Sequence, residues 1–122
     1  EDPITLPLPG LEKEAGGAIR TEVVHIDRFG NVVTGARVDP VTGCITNLPQ
    51  REPDVTLRSG AWVEIGTREV IRFGRSYAEV GPGELVALVG SSGYLEIAVR
   101  DGNAARMLRC RVGEPVRIGA RR

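Results

Sequence analysis

The sequence predicts an all-β fold, an antiparallel barrel or sandwich in one domain with a single short helix near the C-terminal end. Three observations predict it. Short β-branched or apolar runs recur at spacings near ten residues, glycine-rich turns separate them, and only one stretch carries helix signals at both ends. A chain of 122 residues also suffices for one hydrophobic core and is too short for two cores with a cleft between them.

The opening segment EDPITLPLPG has prolines at 3, 7 and 9, which hold it extended and out of any central strand. Residues 1–17 read as a linker and 18–122 as the domain. Because the chain starts at Glu1 without a methionine, it is expected to be the trailing part of a longer protein. RTEVVHID and NVVTGARV are β-branched runs on either side of RFG, so they form a hairpin whose Gly30 can take positive φ, with Asn31 the next most tolerant residue. GCITNLP and DVTLRSG are expected as short strands bounded by Gly and Pro. AWVEIG and EVIRFG follow, broken at Thr67-Arg68. SYAEV is read as a strand leading into the turn GPGE at 81–84, and LVALVG and YLEIAV form a second hairpin around Ser91, Ser92 and Gly93. On the last strand of that hairpin, Tyr94, Glu96 and Ala98 share one face and Leu95, Ile97 and Val99 the other. NAARMLR, 103–109, is the helix, with Asn103 as N-cap and Gly113 beyond its end, and PVRIGA closes the chain as a strand.

Sixteen basic against sixteen acidic residues leave no global field to attract nucleic acid or an anionic membrane. No apolar run approaches the roughly 20 residues of a membrane span, so the chain is expected to be soluble. Cys44 and Cys110 lie far apart in no metal-binding spacing; two buried thiols are expected in preference to a disulfide, which suits a reducing cytoplasm.

His25 and Asp27 lie two apart on a predicted strand and so share a face. A catalytic pair is one reading, and a solvent-facing polar stripe is the plainer one. With one histidine in the chain and no clustered carboxylates, a metal site is not expected. There is no nucleophile elbow, phosphate loop or dinucleotide fingerprint. Asn31, taken alone, is turn chemistry. Together, a turn ending in Asn31, a second turn carrying Ser91 and Ser92, and the aromatic Tyr77 offer amide, hydroxyl and stacking groups to a flat polar ligand, provided the two turns meet at one rim of the barrel.

In HIDRFGNVVT, SYAEV and GSSGYLEIAVRDGNAA, taken in that order and spacing, the chain resembles the C-terminal domain of the S-adenosylmethionine hydroxide adenosyltransferase family, the S-adenosylmethionine hydrolases related to the fluorinases and chlorinases. The likeness spans about residues 18 to 119. It implies a β-barrel-like domain that follows a larger N-terminal α/β domain, a homotrimer, and S-adenosylmethionine as substrate, with no cofactor, bound between the N-terminal domain of one subunit and the C-terminal domain of its neighbour. The resemblance implies that the reaction, water attacking C5′ to give adenosine and methionine, draws its activating Asp, Arg and His from the N-terminal domain. This chain would then hold half a site and no catalytic residue.

By position, the resemblance implies that Asp27 meets the ammonium of the methionine portion and that Asn31 reads the adenine edge, with Phe29 shaping the turn behind it. Tyr77 would pack on adenine, and Ser91 would receive the methionine carboxylate. Val99 and Ala104 would offer main chain to the purine, Ala104 from a helical first turn where amides are unpaired. Glu96 would assist. Ser92 stands where halogenating relatives have arginine, which points to the hydrolase branch. Gly35 stands where many relatives have asparagine, so a contact or a strand-end hydrogen bond is expected to be missing. Two other classes compete. The arginines at 100, 106, 109, 111, 117, 121 and 122 suggest a nucleic-acid-binding barrel, against which stand the zero net charge and aromatics at only 4%, too few for base stacking. The other is a structural or oligomerisation barrel with no ligand.

Overall fold

A computed structural model describes residues 10–48, 55–58, 60–66 and 69–120. Its strands are β1 (Glu12–Lys13), β2 (Ile19–Ile26), β3 (Val32–Arg37), β4 (Trp62–Ile65), β5 (Glu69–Arg72), β6 (Leu85–Val89), β7 (Tyr94–Val99) and β8 (Pro115–Gly119), with a 3-10 turn at Tyr77–Glu79 and one helix, α1 (Ala104–Leu108). They form one antiparallel sheet in the order β5-β4-β8-β2-β3-β7-β6, with β1 paired to β2 beside this path. A parallel bridge between Phe73 and Ala87, supported by Gly74 N–H donating to Ala87 O at 2.8 Å, brings the two edge strands together, so the sheet is a nearly closed barrel. The predicted fold class is the one observed.

The core follows from the alternation. Ile19, Ile118, Val63 and Ile71 are register partners across β2, β8, β4 and β5 and are all buried. A second inner row runs through Ile26, Val32, Ile97 and Ala87. Each β-branched side chain in these rows meets its neighbour on the pleated surface, where its restricted χ1 costs little. α1 closes one end by placing Ala104 in the core with Ala105 and Leu108 packed against it.

Local chemistry shapes three departures from the sequence reading. SYAEV is a 3-10 turn, because Ser76 Oγ accepts from Ala78 N–H at 3.2 Å and the Glu79 carboxylate from Arg75 N–H at 3.0 Å, which outcompetes an extended strand. Around GCITNLP and DVTLRSG only isolated bridges form, Val38 with Ile45 and Cys44 with Thr56; residues 49–54 and 59 lie outside the described ones. The helix ends at Arg109, itself left-handed at φ 54°, and Gly113 serves the turn into β8. Packing also begins earlier than Ala18, since Leu11 is buried and β1 pairs with β2. Cys44 and Cys110 are both free thiols, but only Cys110 is buried; Cys44, in the loop bridged to Thr56, is partly exposed.

On the outer face of β8, Arg117 donates to Glu14 at 2.9 Å and to Glu64 at 2.7 Å and lies over the Trp62 ring. These bonds hold the Glu14 carboxyl below its ordinary range and the guanidinium above its own. The network clamps the β1–β2 connection to the barrel.

Candidate functional site

The two hairpins that carry the polar residues are built alike. Asp27 N–H donates to Asn31 O at 3.0 Å and Gly30 N–H to Asp27 O at 2.9 Å; in the second turn Gly90 N–H donates to Tyr94 O and Gly93 N–H to Gly90 O, both at 2.9 Å. Gly30 at φ 87° and Gly93 at φ 88° supply the left-handed fourth position that this three-residue loop demands. The sequence therefore commits both turns through one glycine each.

In the first turn the Asp27 carboxylate accepts from Phe29 N–H and Asn31 N–H at 2.9 Å each, and from Asn31 Nδ2 at 3.1 Å. Charge-assisted bonds of this kind fix the turn and the Asn31 amide together. Among the described residues the second Nδ2 hydrogen and the Oδ1 of Asn31 have no partner, enough for a bidentate pair with a purine edge. The turn docks on α1: Ala105 N–H donates to Gly30 O at 2.8 Å, and a Cβ at Gly30 would fall on the Asn103 side chain. Asn103 Oδ1 in turn accepts from Arg106 N–H at 2.9 Å. Two of the first-turn amides expected to be unpaired are thus taken. Phe29 is exposed, and the side chains of Val99 and Ala104 are in the core, leaving only their main chain to a ligand.

The expectation that both turns share one rim is overturned by the strand directions. Val32 pairs with Ile97 next to the first turn, while Arg37 pairs with Tyr94 next to the second, so Asn31 and Ser91 stand at opposite ends of the β3–β7 ladder. What links them is the outer face of the sheet. Glu96 lies between, register partner of Val33 on β3 and Leu88 on β6. Its carboxyl occupies the place a Cβ at Gly90 would take, and it is close enough to Asp27 for the two charges to interact; burial first, then Asp27, raises its pKa above the ordinary carboxylate range. Ser91 and Ser92 are exposed. Tyr77, half-exposed, belongs to the segment whose Val80 packs on Val86 and Leu88, on the same outer face. Sequence reasoning did not single out Gly90, Gly30 or Asn103 as parts of a site, although a glycine placed shortly before a hairpin glycine is a legible sign of close approach.

The bulge at 34–36 gives Gly35 a role. Thr34 Oγ1 donates to Leu95 O at 2.9 Å, and the Asn47 side chain donates to Gly35 O and accepts from Arg37 N–H, both at 2.9 Å.

Among the described residues no group of three or more His, Cys, Asp or Glu is placed to hold a metal, and no helix is long and apolar enough to cross a membrane. Of the arginines that suggested nucleic acid, Arg100 donates to Val80 O and Arg117 holds two carboxylates; Arg121 and Arg122 lie outside the described residues. A cavity of about 730 Å³ opens elsewhere, where Phe73, Gly74 and Val89 face the loop from Pro40 to Gly43, and none of the residues nominated above lines it.

These features define a small antiparallel barrel whose polar residues lie along one outer face and at a turn–helix junction. The chain belongs to the SAM hydroxide adenosyltransferase family: residues 21–117 match the family model of the SAM hydroxide adenosyltransferase C-terminal domain. It is 38% identical over 114 residues to an (R)-S-adenosyl-L-methionine hydrolase of Thermus thermophilus, covering 93% of this chain and 35% of that protein. It is 29% identical over 120 residues to one of Salinispora tropica, covering 96% and 38%. Among solved structures it resembles a conserved hypothetical protein from Thermus thermophilus, with a TM-score of 0.63, 35% identity and 93% and 38% coverage. An uncharacterized conserved protein from Thermotoga maritima gives 0.64, 25%, 93% and 40%. The chain thus spans little more than a third of the length of its relatives.

Proposed function

We propose that this chain is the substrate-binding half of an S-adenosylmethionine hydrolase, completed by an N-terminal α/β domain of a neighbouring subunit in a homotrimer. The observation that carries the reading is the Asp27–Asn31 turn, whose internal bonds preset the Asn31 amide beside the N-terminus of α1. Family membership supports it, as do the names of the relatives.

In this reading the ligand lies along the outer face of the β3–β7 ladder. Asn31 pairs with the adenine edge, Phe29 supports the turn, and the main chain at Val99 and Ala104 borders the purine. Tyr77 packs on the ring from the overlying segment, Asp27 and Glu96 face the cationic middle, and Ser91 with Ser92 receives the amino-acid carboxylate. The activating groups come from the α/β domain. Water oxygen bonds to C5′ as the C5′–S bond breaks; sulfur takes the electron pair and leaves as neutral methionine thioether, and the water proton passes to that domain's base. This chain contributes orientation, worth several kcal/mol where the geometry is favourable. The cleft between domains would exclude bulk water, other than the attacking molecule, from a step in which the sulfonium charge disappears.

The test is to mix this chain with a matching N-terminal domain, supply S-adenosylmethionine, and follow adenosine and methionine by chromatography, with calorimetric titration of adenosine alongside. Product formation that needs both parts, with saturable binding, is expected. No saturable binding in either arrangement leaves a structural or oligomerisation barrel.

A further inference from the structure

We infer that Glu96 makes this site prefer a cationic nucleoside ligand over a neutral one, acting with Asp27 as an acidic pair on the outer face of the sheet. The inference rests on the reading above and names a residue that sets its specificity.

Glu96 is 9% exposed, and among the described residues its carboxyl has neither a hydrogen-bond donor nor a cation. Its oxygens still reach the surface, since among the described residues the fully buried side-chain polar atom without a partner is Thr21 Oγ1; a carboxylate so largely desolvated, open to solvent only at its tip, gains from a cation that meets it there. Its surroundings deepen the cost of that charge. Val33 and Leu88 flank it with apolar side chains, and the charge that acts on it, Asp27, has the same sign. His25, across Val33 in the same row, is exposed. Arg100, just past β7, is engaged on Val80 O, and Arg37 at the end of β3 lies over the Tyr94 ring.

Two further features show that the carboxyl is accommodated and not displaced. Position 90 is glycine, and the Glu96 carboxyl fills the space its side chain would need. The Asp27 carboxylate is held by three bonds from its own turn, so it cannot swing away from its neighbour. Two acidic groups so held lack only a positive charge from outside. S-adenosylmethionine carries two, a sulfonium and an ammonium, while adenosine carries none. Cleavage of the C5′–S bond turns the sulfonium into a neutral thioether, so the pair favours substrate over the nucleoside product.

The experiment is equilibrium titration of S-adenosylmethionine and of adenosine into this chain assembled with its N-terminal domain, comparing the unaltered protein with Glu96→Gln and Glu96→Asp. Loss of one charge-assisted contact weakens S-adenosylmethionine binding about tenfold or more in Glu96→Gln, leaving adenosine affinity within about twofold, while Glu96→Asp keeps most of the preference. An unchanged ratio of affinities in Glu96→Gln, or an equal fall for both ligands, overturns the inference. A Glu96→Gln protein that does not fold at neutral pH also overturns it, because removing an unpaired buried charge must not destabilise the barrel. If the unaltered assembly binds neither ligand, the nucleoside reading itself fails and takes this inference with it, an outcome distinct from the others.

Discussion

Gly30 and Asn103 are in contact such that no side-chain atom fits at position 30: a Cβ there would coincide with the Asn103 amide, which at the same time caps α1. One contact therefore joins the β2–β3 turn to the helix and fixes the Asn31 amide relative to it.

Replacing Gly30 with alanine is expected to destabilise the chain by about 2 kcal/mol or more, from positive φ and from the collision with Asn103. Urea denaturation measures it. A loss below about 0.5 kcal/mol, within the range of ordinary surface substitutions, contradicts the proposed junction.

Asn103→Ala should cost about 1 kcal/mol through the lost N-cap, and Asn103→Asp should restore most of it because aspartate caps equally well. Thermal melts of the two variants decide; equal losses would mean that the cap is not what Asn103 contributes.

Glu96 and Glu14 are expected to move stability in opposite directions with pH. Glu96 has a folded pKa above its ordinary 4.5, so the folded state binds more protons and stability falls as pH rises from about that value through the raised one. Glu96→Gln should then melt higher than the unaltered chain at pH 7 and alike below pH 4. A lower melt at pH 7 refutes this.

Glu14 has the reverse sign. Arg117 depresses its pKa, so its stabilisation is present above 4.5 and is lost as pH falls through the lowered value. Replacing Arg117 with methionine should flatten the acid limb of the melting curve and shift Trp62 fluorescence, since the guanidinium lies over that ring. An unaltered acid limb would show that the ion pairs contribute nothing in solution.

Asp27→Asn should weaken S-adenosylmethionine binding to the assembled enzyme while changing the chemical step little, because a near-isosteric amide oxygen can still accept the bonds from Phe29 and Asn31 N–H. Calorimetry and single-turnover rates separate the two effects. Unaltered affinity would remove Asp27 from the site.

The hairpins were legible because each needs one glycine at its fourth turn position and flanking β-branched runs, and both conditions are local. The relation between the turns was not. Strand direction and register arise from pairing across the sheet, and no periodicity in NVVTGARV or YLEIAV states which end of β3 meets which end of β7. A bulge at Val24 also interrupts the alternation just ahead of His25: Val23 and Ile26, three apart, are both buried or packed against the core, while from His25 onward the strand alternates as read. Glu96 was placed on the correct face, but its burial depends on Gly90 and on the segment carrying Val80, both remote from simple alternation. Tyr77 was expected in a strand because side-chain caps such as Ser76 and Glu79 reveal themselves only once the chain has bent.

β7 runs unbroken from Tyr94 to Val99, and at about 3.3 Å per residue the five positions separating the level of Asn31, opposite Ala98, from that of Ser91, opposite Gly93, amount to about 17 Å. The pleat acts as a ruler. On the proposed reading, a molecule gripping both extremities would have to be stretched out along it, and a shorter fragment would hold only one at a time, so the barrel would measure the length of a ligand as well as its polarity.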